Sequence, residues 1–160
     1  MTSRWIVGID GSNEAVDALR WAVGQASNHG AEVTAISAFH MSAMMALFAT
    51  KRGFGVDEIG LEATAGHDID TAIESAGAVG VQSSVVEGHP QHVLVDATSD
   101  AELLVIGRTG SGELRHHLLG SVTRYCITHS HAPVVVVPEG SAVPQRPSIV
   151  VGFDGSAHAS

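Results

Sequence analysis

Positive charge is scarce in this chain: 8 Lys and Arg stand against 17 Asp and Glu, a formal net charge of -9. Nucleic-acid binding rests on neutralising phosphates with basic side chains, so this balance argues against a nucleic-acid partner. A small anion is not excluded, because a local nest of backbone amides overcomes a distant acidic field. Cysteine is nearly absent. The lone Cys126 forbids an internal disulfide and suits a reducing cytosol. It falls in a helical stretch, where a small buried hydrophobe is expected rather than a reactive thiol. Long apolar runs are missing too: none approaches the roughly 18 residues that span a bilayer. Arg4 and Trp5 lead into a short apolar run and then Gly8 and Asp10, which is not a signal peptide. These absences point to a cytoplasmic protein with no membrane partner. Its 160 residues are enough for one domain with a real core.

What is present is alternation. Trp5 to Ile9, Val33 to Ala38, Val81 to Val86, Leu103 to Ile106 and Val134 to Val137 read as strands. The last two are unbroken apolar runs, as expected where both faces of a parallel sheet are covered. Between them lie helical stripes. The first carries Val16, Leu19, Ala22, Val23 and Ala26 with Ser12 as its cap, and the second Ile59, Ala63, Gly66, Ile69, Ile73 and Ala76. The third starts at Pro90, a good first-turn residue, and carries Val93, Leu94 and Ala97. The fourth starts at Ser121 and carries Val122, Tyr125, Cys126 and His129. This order predicts an α/β fold, a doubly wound five-stranded parallel sheet. Residues 40–56 break the pattern; their Met41, Met44, Met45, Leu47 and Phe48 read as a connection folded onto the domain, with a lid or partner surface as the alternative.

The most informative segment runs from Gly107 to Ser121. Gly107 and Gly110 follow an apolar strand, and Gly120-Ser121 opens a helix, an arrangement that cradles phosphates and aims a helix N-terminus at them. In a doubly wound sheet the loop after the first strand, with Asp10, should meet it where the strand order reverses. A P-loop is excluded, since Glu113 stands where Lys and then Ser or Thr would be needed. Near the end, Val151-Gly152-Phe153-Asp154-Gly155-Ser156 repeats Val7-Gly8-Ile9-Asp10-Gly11-Ser12. The expected organisation is therefore a nucleotide-binding domain over 1–139, a linker over 140–148 and the start of a truncated second repeat over 149–160.

The combination resembles the universal stress protein family. Gly107, Gly110, Gly120 and Ser121 match its ATP-binding pattern of Gly, two residues, Gly, nine residues, Gly and Ser or Thr. The flanks Leu118 to Thr123 and Ala132 to Val137, and the opening Ile6 to Ser12, are similar to it as well. The resemblance implies strand order 3-2-1-4-5 with helices on both faces, and ATP with Mg²⁺ as the cofactor. It implies that Asp10 faces the ribose or adenosine end and that Ala38 meets the adenine beside Ile106. Gly107, Arg108, Gly110, Ser111, Gly120, Ser121 and Val122 would then surround the phosphates. It further implies a regulatory, stress-protective role.

No Ser-His-Asp arrangement, paired catalytic carboxylates or activated nucleophile emerges, so a nucleotide-dependent binding module is favoured over an enzyme. The alternatives are a slow ATP hydrolase or adenylyl-transfer enzyme on the same scaffold, and an interaction protein that has lost its ligand. Arg108 and Arg115 are candidate phosphate partners or solvated side chains. The histidine pairs His116-His117 and His129/His131 lack the spacing of a metal site, so none is assigned; His89 and His92 read as surface residues. An edge position for Val134 to Val137 implies a homodimer through that strand.

Overall fold

The computed structural model describes residues 3–40, 58–110 and 119–141. Five strands form one sheet: β1 (Ser3–Ile9), β2 (Ala31–Phe39), β3 (Gln82–Glu87), β4 (Leu103–Gly107) and β5 (Val134–Val137). The helices between them are α1 (Asn13–His29), α2 (Glu58–Ala76), α3 (Pro90–Ala97) with a short 3₁₀ turn (Thr98–Asp100), and α4 (Ser121–His129). The strand order is β3-β2-β1-β4-β5, and every pair is parallel. This is the expected doubly wound architecture.

Alternation along each strand sorts the side chains into two cores. Trp5, Val7, Ile9, Val33, Ala35 and Val105 face α1 and α2, packing on Ala15, Ala18, Leu19, Ala22, Ile69 and Ala72. Ile6, Ile36, Leu104 and Ile106 face the other way, onto Leu94 and Val95 of α3 and Cys126 of α4. Cys126 is fully buried, and that burial pushes its thiol pKa up to about 11, so it is a packing residue.

Local signals explain the helix ends. Ser12 is the N-cap of α1, its Oγ accepting from the Ala15 amide at 3.2 Å. Gly30 ends the helix in the left-handed conformation at φ 64° and leads directly into β2. Pro90 occupies the first turn of α3. Two stripes differ from the expectation. In α2, Ala63 is exposed while Ala65 is buried with Ile69 and Ala72. Alanine and glycine carry little hydrophobic contrast, so periodicity there is a weak guide to the buried face. In α1, Ala15 and Ala18 are buried and Val16 and Val23 only partly so. At the start of α4, Gly120 rather than Ser121 holds the cap position, and Ser121 is the first helical residue. No helix of the described residues is long and apolar enough to cross a membrane.

Candidate functional site

The strand order reverses between β1 and β4, and a cavity of about 280 Å³ opens at their carboxyl ends. Its floor is a row across three strands. Gly8 of β1 lies beside Ile36 of β2 in register, with Ile106 of β4 on its other side. A side chain at position 8 would meet Leu94 at 3.0 Å and Ile106 at 3.1 Å, so the absence of one lets Leu94 reach down to the sheet. Ala38, Leu94 and Pro90 build an apolar wall from β2 and α3. Opposite lies a polar wall made by Asp10, Thr109, Gly110, Ser121 and Thr123.

The polar wall is held by hydrogen bonds. Asp10 Oδ1 accepts from the Ser12 amide at 3.1 Å and from the Ser12 hydroxyl at 2.6 Å, so one carboxylate braces the turn into α1 while lining the cavity. The start of α4 is docked across the end of β4: the Gly120 amide donates to the Arg108 carbonyl at 2.9 Å, and the Thr123 hydroxyl to the Gly107 carbonyl at 2.9 Å. Gly120 has no side chain with which to cap α4, and Ser121 and Val122 line the cavity.

Three glycines of the motif are glycine for different reasons. Gly110 has φ 74°, and a Cβ there would stand 2.6 Å from Asp10 Oδ2. A Cβ on Gly107 would meet Glu14 Cβ at 2.9 Å, and one on Gly120 would meet the Thr109 carbonyl oxygen at 2.7 Å. The last two permit close approach of backbone to backbone or helix to strand, with no unusual dihedral.

Glu14, in the first turn of α1, is 5% exposed. Its Oε2 accepts from the Thr109 amide at 2.5 Å, the Thr109 hydroxyl at 2.9 Å and the Gly110 amide at 3.4 Å. Arg108 Nη2 stands 3.8 Å from its Oε1. Burial pushes the Glu14 carboxyl upward, but the Thr109 and Gly110 donors and the Arg108 guanidinium together outweigh it and hold the pKa below its ordinary value.

The structure thus brings together at one cavity Asp10, Ala38, Ile106, Gly107, Gly110, Ser121 and Val122 from the sequence-derived set. Arg108 and Gly120 stand behind it, the first directed at Glu14 and the second packed under Thr109. Ser111, Arg115, the His116-His117 pair, the 41–56 segment and the repeat at 149–160 lie outside the described residues. Sequence reasoning missed Gly8, Ile9, Ile36, Pro90, Leu94, Thr109 and Thr123 as lining residues, and Glu14 behind them. For Gly8 and Ile36 a usable signal existed: they sit at the carboxyl ends of apolar strands, where a doubly wound sheet binds ligands. Among the described residues no group of three or more His, Cys, Asp or Glu is placed to hold a metal ion.

Comparison with known proteins identifies the family. The universal stress protein family profile matches residues 1–138, and the chain belongs to that family. It is 33% identical over 170 aligned residues to a universal stress protein of Mycobacterium tuberculosis, covering 95% of this chain and 54% of the relative. The chain therefore spans about half the length of the curated relatives it matches. Two solved structures share the fold. One is a universal stress protein in complex with cAMP, with TM-score 0.58, 24% identity, and 86% of this chain and 98% of that one covered. The other is the universal stress protein of Archaeoglobus fulgidus in complex with dAMP, with TM-score 0.53, 20% identity, and 86% and 98% covered.

Proposed function

We propose that the cavity binds an adenine nucleotide, ATP, and that the protein acts as a nucleotide-dependent regulatory module in the stress response. The observation that carries this reading is the pairing of walls: apolar Ile36, Ala38, Pro90 and Leu94 on one side, and Gly110 with the start of α4 on the other. A flat base suits the first wall, and a chain of phosphates suits the second, where the amides of a helix N-terminus attract anions. The cavity, about 280 Å³, lies just below the roughly 300–1,000 Å³ typical of ligand pockets, so it suits a nucleoside with the phosphates leading outward. Two related folds whose structures contain cAMP and dAMP support the adenine assignment.

In this arrangement Ala38 meets the base, Asp10 faces the sugar, and Ser121 and Val122 receive the phosphates beside Gly110. Ser111 is assigned to the same group from the sequence motif. Mg²⁺ holds few protein ligands in nucleotide sites and keeps several waters, so the ion would enter on the triphosphate rather than in a cage of side chains. Calorimetric titration with ATP and Mg²⁺ tests the reading. Saturable binding is expected, and no heat at about 1 mM ATP, where a bound complex is worth only about 4 kcal/mol, ends it.

The assembly reading is separate. In the described sheet β5 pairs with β4 on one side only, and Val134, Val135 and Val136 are half-buried. A second copy pairing along β5 would cover that edge. Light scattering at micromolar concentration is expected to show a dimer that Val135→Lys converts to monomer.

A further inference from the structure

The Glu14 carboxylate is the one buried acid in the described residues, and the nucleotide reading gives it no role. Three donors converge on its Oε2, and two of them are backbone amides of the segment that leaves β4 towards the cavity. These are amides of the kind that hold phosphates in a glycine-rich loop. Here a protein carboxylate already occupies them. The contact is built from both sides: Gly107 has no Cβ, and one would lie 2.9 Å from Glu14 Cβ, so only glycine lets the first turn of α1 approach this closely. Gly110, whose amide lies 3.4 Å from Glu14, has its α-carbon turned towards Asp10, so its placement sets one edge of the cavity.

We propose that Glu14 is a positioning residue of the nucleotide site, an internal anion that fastens Thr109 and Gly110 to α1 and fixes where the glycine loop departs towards the phosphates. It touches no ligand itself. The Thr109 and Gly110 amides are spent on it, so among the described residues phosphate contacts fall to the start of α4. Through Gly107, the first glycine of the motif serves the carboxylate rather than the nucleotide.

The inference rests on the nucleotide reading, and two readouts keep their fates apart. The first needs no ligand: amide hydrogen exchange of the wild type, Glu14→Ala and Glu14→Gln. Thr109 and Gly110 should lose protection by about tenfold or more in Glu14→Ala, an opening-equilibrium shift of the size set by RT ln 10. The β1 and β2 amides should be unchanged, and Glu14→Gln, which keeps an acceptor oxygen, should retain most of the protection. Equal protection in all three proteins overturns the proposal. The second compares ATP with adenosine. Glu14→Ala should weaken ATP by about tenfold and adenosine by less than about twofold, with Glu14→Gln close to wild type. Parallel loss of both ligands would assign Glu14 to general packing, and unchanged or tighter ATP binding would show that it competes with phosphate; either result overturns the proposal. Should Glu14→Ala fail to fold, Glu14→Gln and Glu14→Asp carry the same comparison, the shorter acid being expected to lose both amides. A wild-type protein that binds neither ligand would remove the nucleotide reading, while the exchange experiment would still decide whether Glu14 fastens the loop.

Discussion

The two walls of the cavity are built by opposite means. The β2–α3 wall is made of Ile36, Leu94 and Pro90, apolar side chains without a hydrogen-bonding group, the first two buried in the core. The α1–β4 wall is a mesh of short polar contacts in which Asp10, Ser12, Glu14, Thr109 and Thr123 fasten three chain segments together. Apolar packing tolerates small shifts, whereas each hydrogen bond has a narrow range of distance and angle. The first wall therefore suits a body recognised by shape, and the second suits groups recognised by atom position. A nucleotide has one of each.

Substitutions should separate these walls, beginning with the largest effect. Leu94→Ala removes a side chain that is 6% exposed and lies over the cavity floor. It should cost about 2–5 kcal/mol in denaturant unfolding and weaken adenosine and ATP together. Gly120→Ala places a methyl 2.7 Å from the Thr109 carbonyl oxygen, with a backbone as the obstacle. The expected cost is about 1–3 kcal/mol, with ATP affinity falling more than adenosine affinity because α4 must move. Equal losses would mean that the two walls are not independent.

Ser12→Ala deletes the α1 cap and the hydroxyl that donates to Asp10 Oδ1 at 2.6 Å. About 0.5–2 kcal/mol of stability should be lost, measured by thermal unfolding. The smallest effect is pH-dependent. Because the folded state lowers the Glu14 pKa, its ionised form contributes stability that is present above the unfolded value of about 4.3 and disappears as pH falls through the folded value. Wild type should exceed Glu14→Gln by less than about 1 kcal/mol at pH 7, the margin between charged and neutral hydrogen bonds. That gap should close in acid; a constant gap from pH 7 to pH 3 would contradict the assignment.

Much of this was legible beforehand. The five strands fall within about two residues of their expected places, because apolar runs bounded by glycine and polar residues mark buried parallel strands. Ser12 and Pro90 announced their helices by local chemistry alone. The glycine loop was found by spacing, and Asp10 by the rule that ligands bind where strand order reverses. The motif did not reveal why each glycine is there. Gly107 and Gly120 look like flexible phosphate-loop residues, but the structure gives both ordinary dihedrals and a close neighbour. Glu14 carries no such signal, because an acid in the first turn of a helix is ordinarily a solvated partner of the helix dipole.

The sequence by itself determined the order of elements, the parallel sheet and the position of a glycine-rich loop after β4, since these follow from periodicity, caps and short-range spacing. Only the tertiary structure decided which residues meet. Glu14 lies 95 positions from Thr109, and Gly8 reaches Leu94 only across the face of the sheet. Such contacts depend on packing between elements, where a missing Cβ or a buried carboxylate has meaning only in relation to what stands opposite it. The glycine loop was visible in one dimension; the acid that holds it in place was visible only in three.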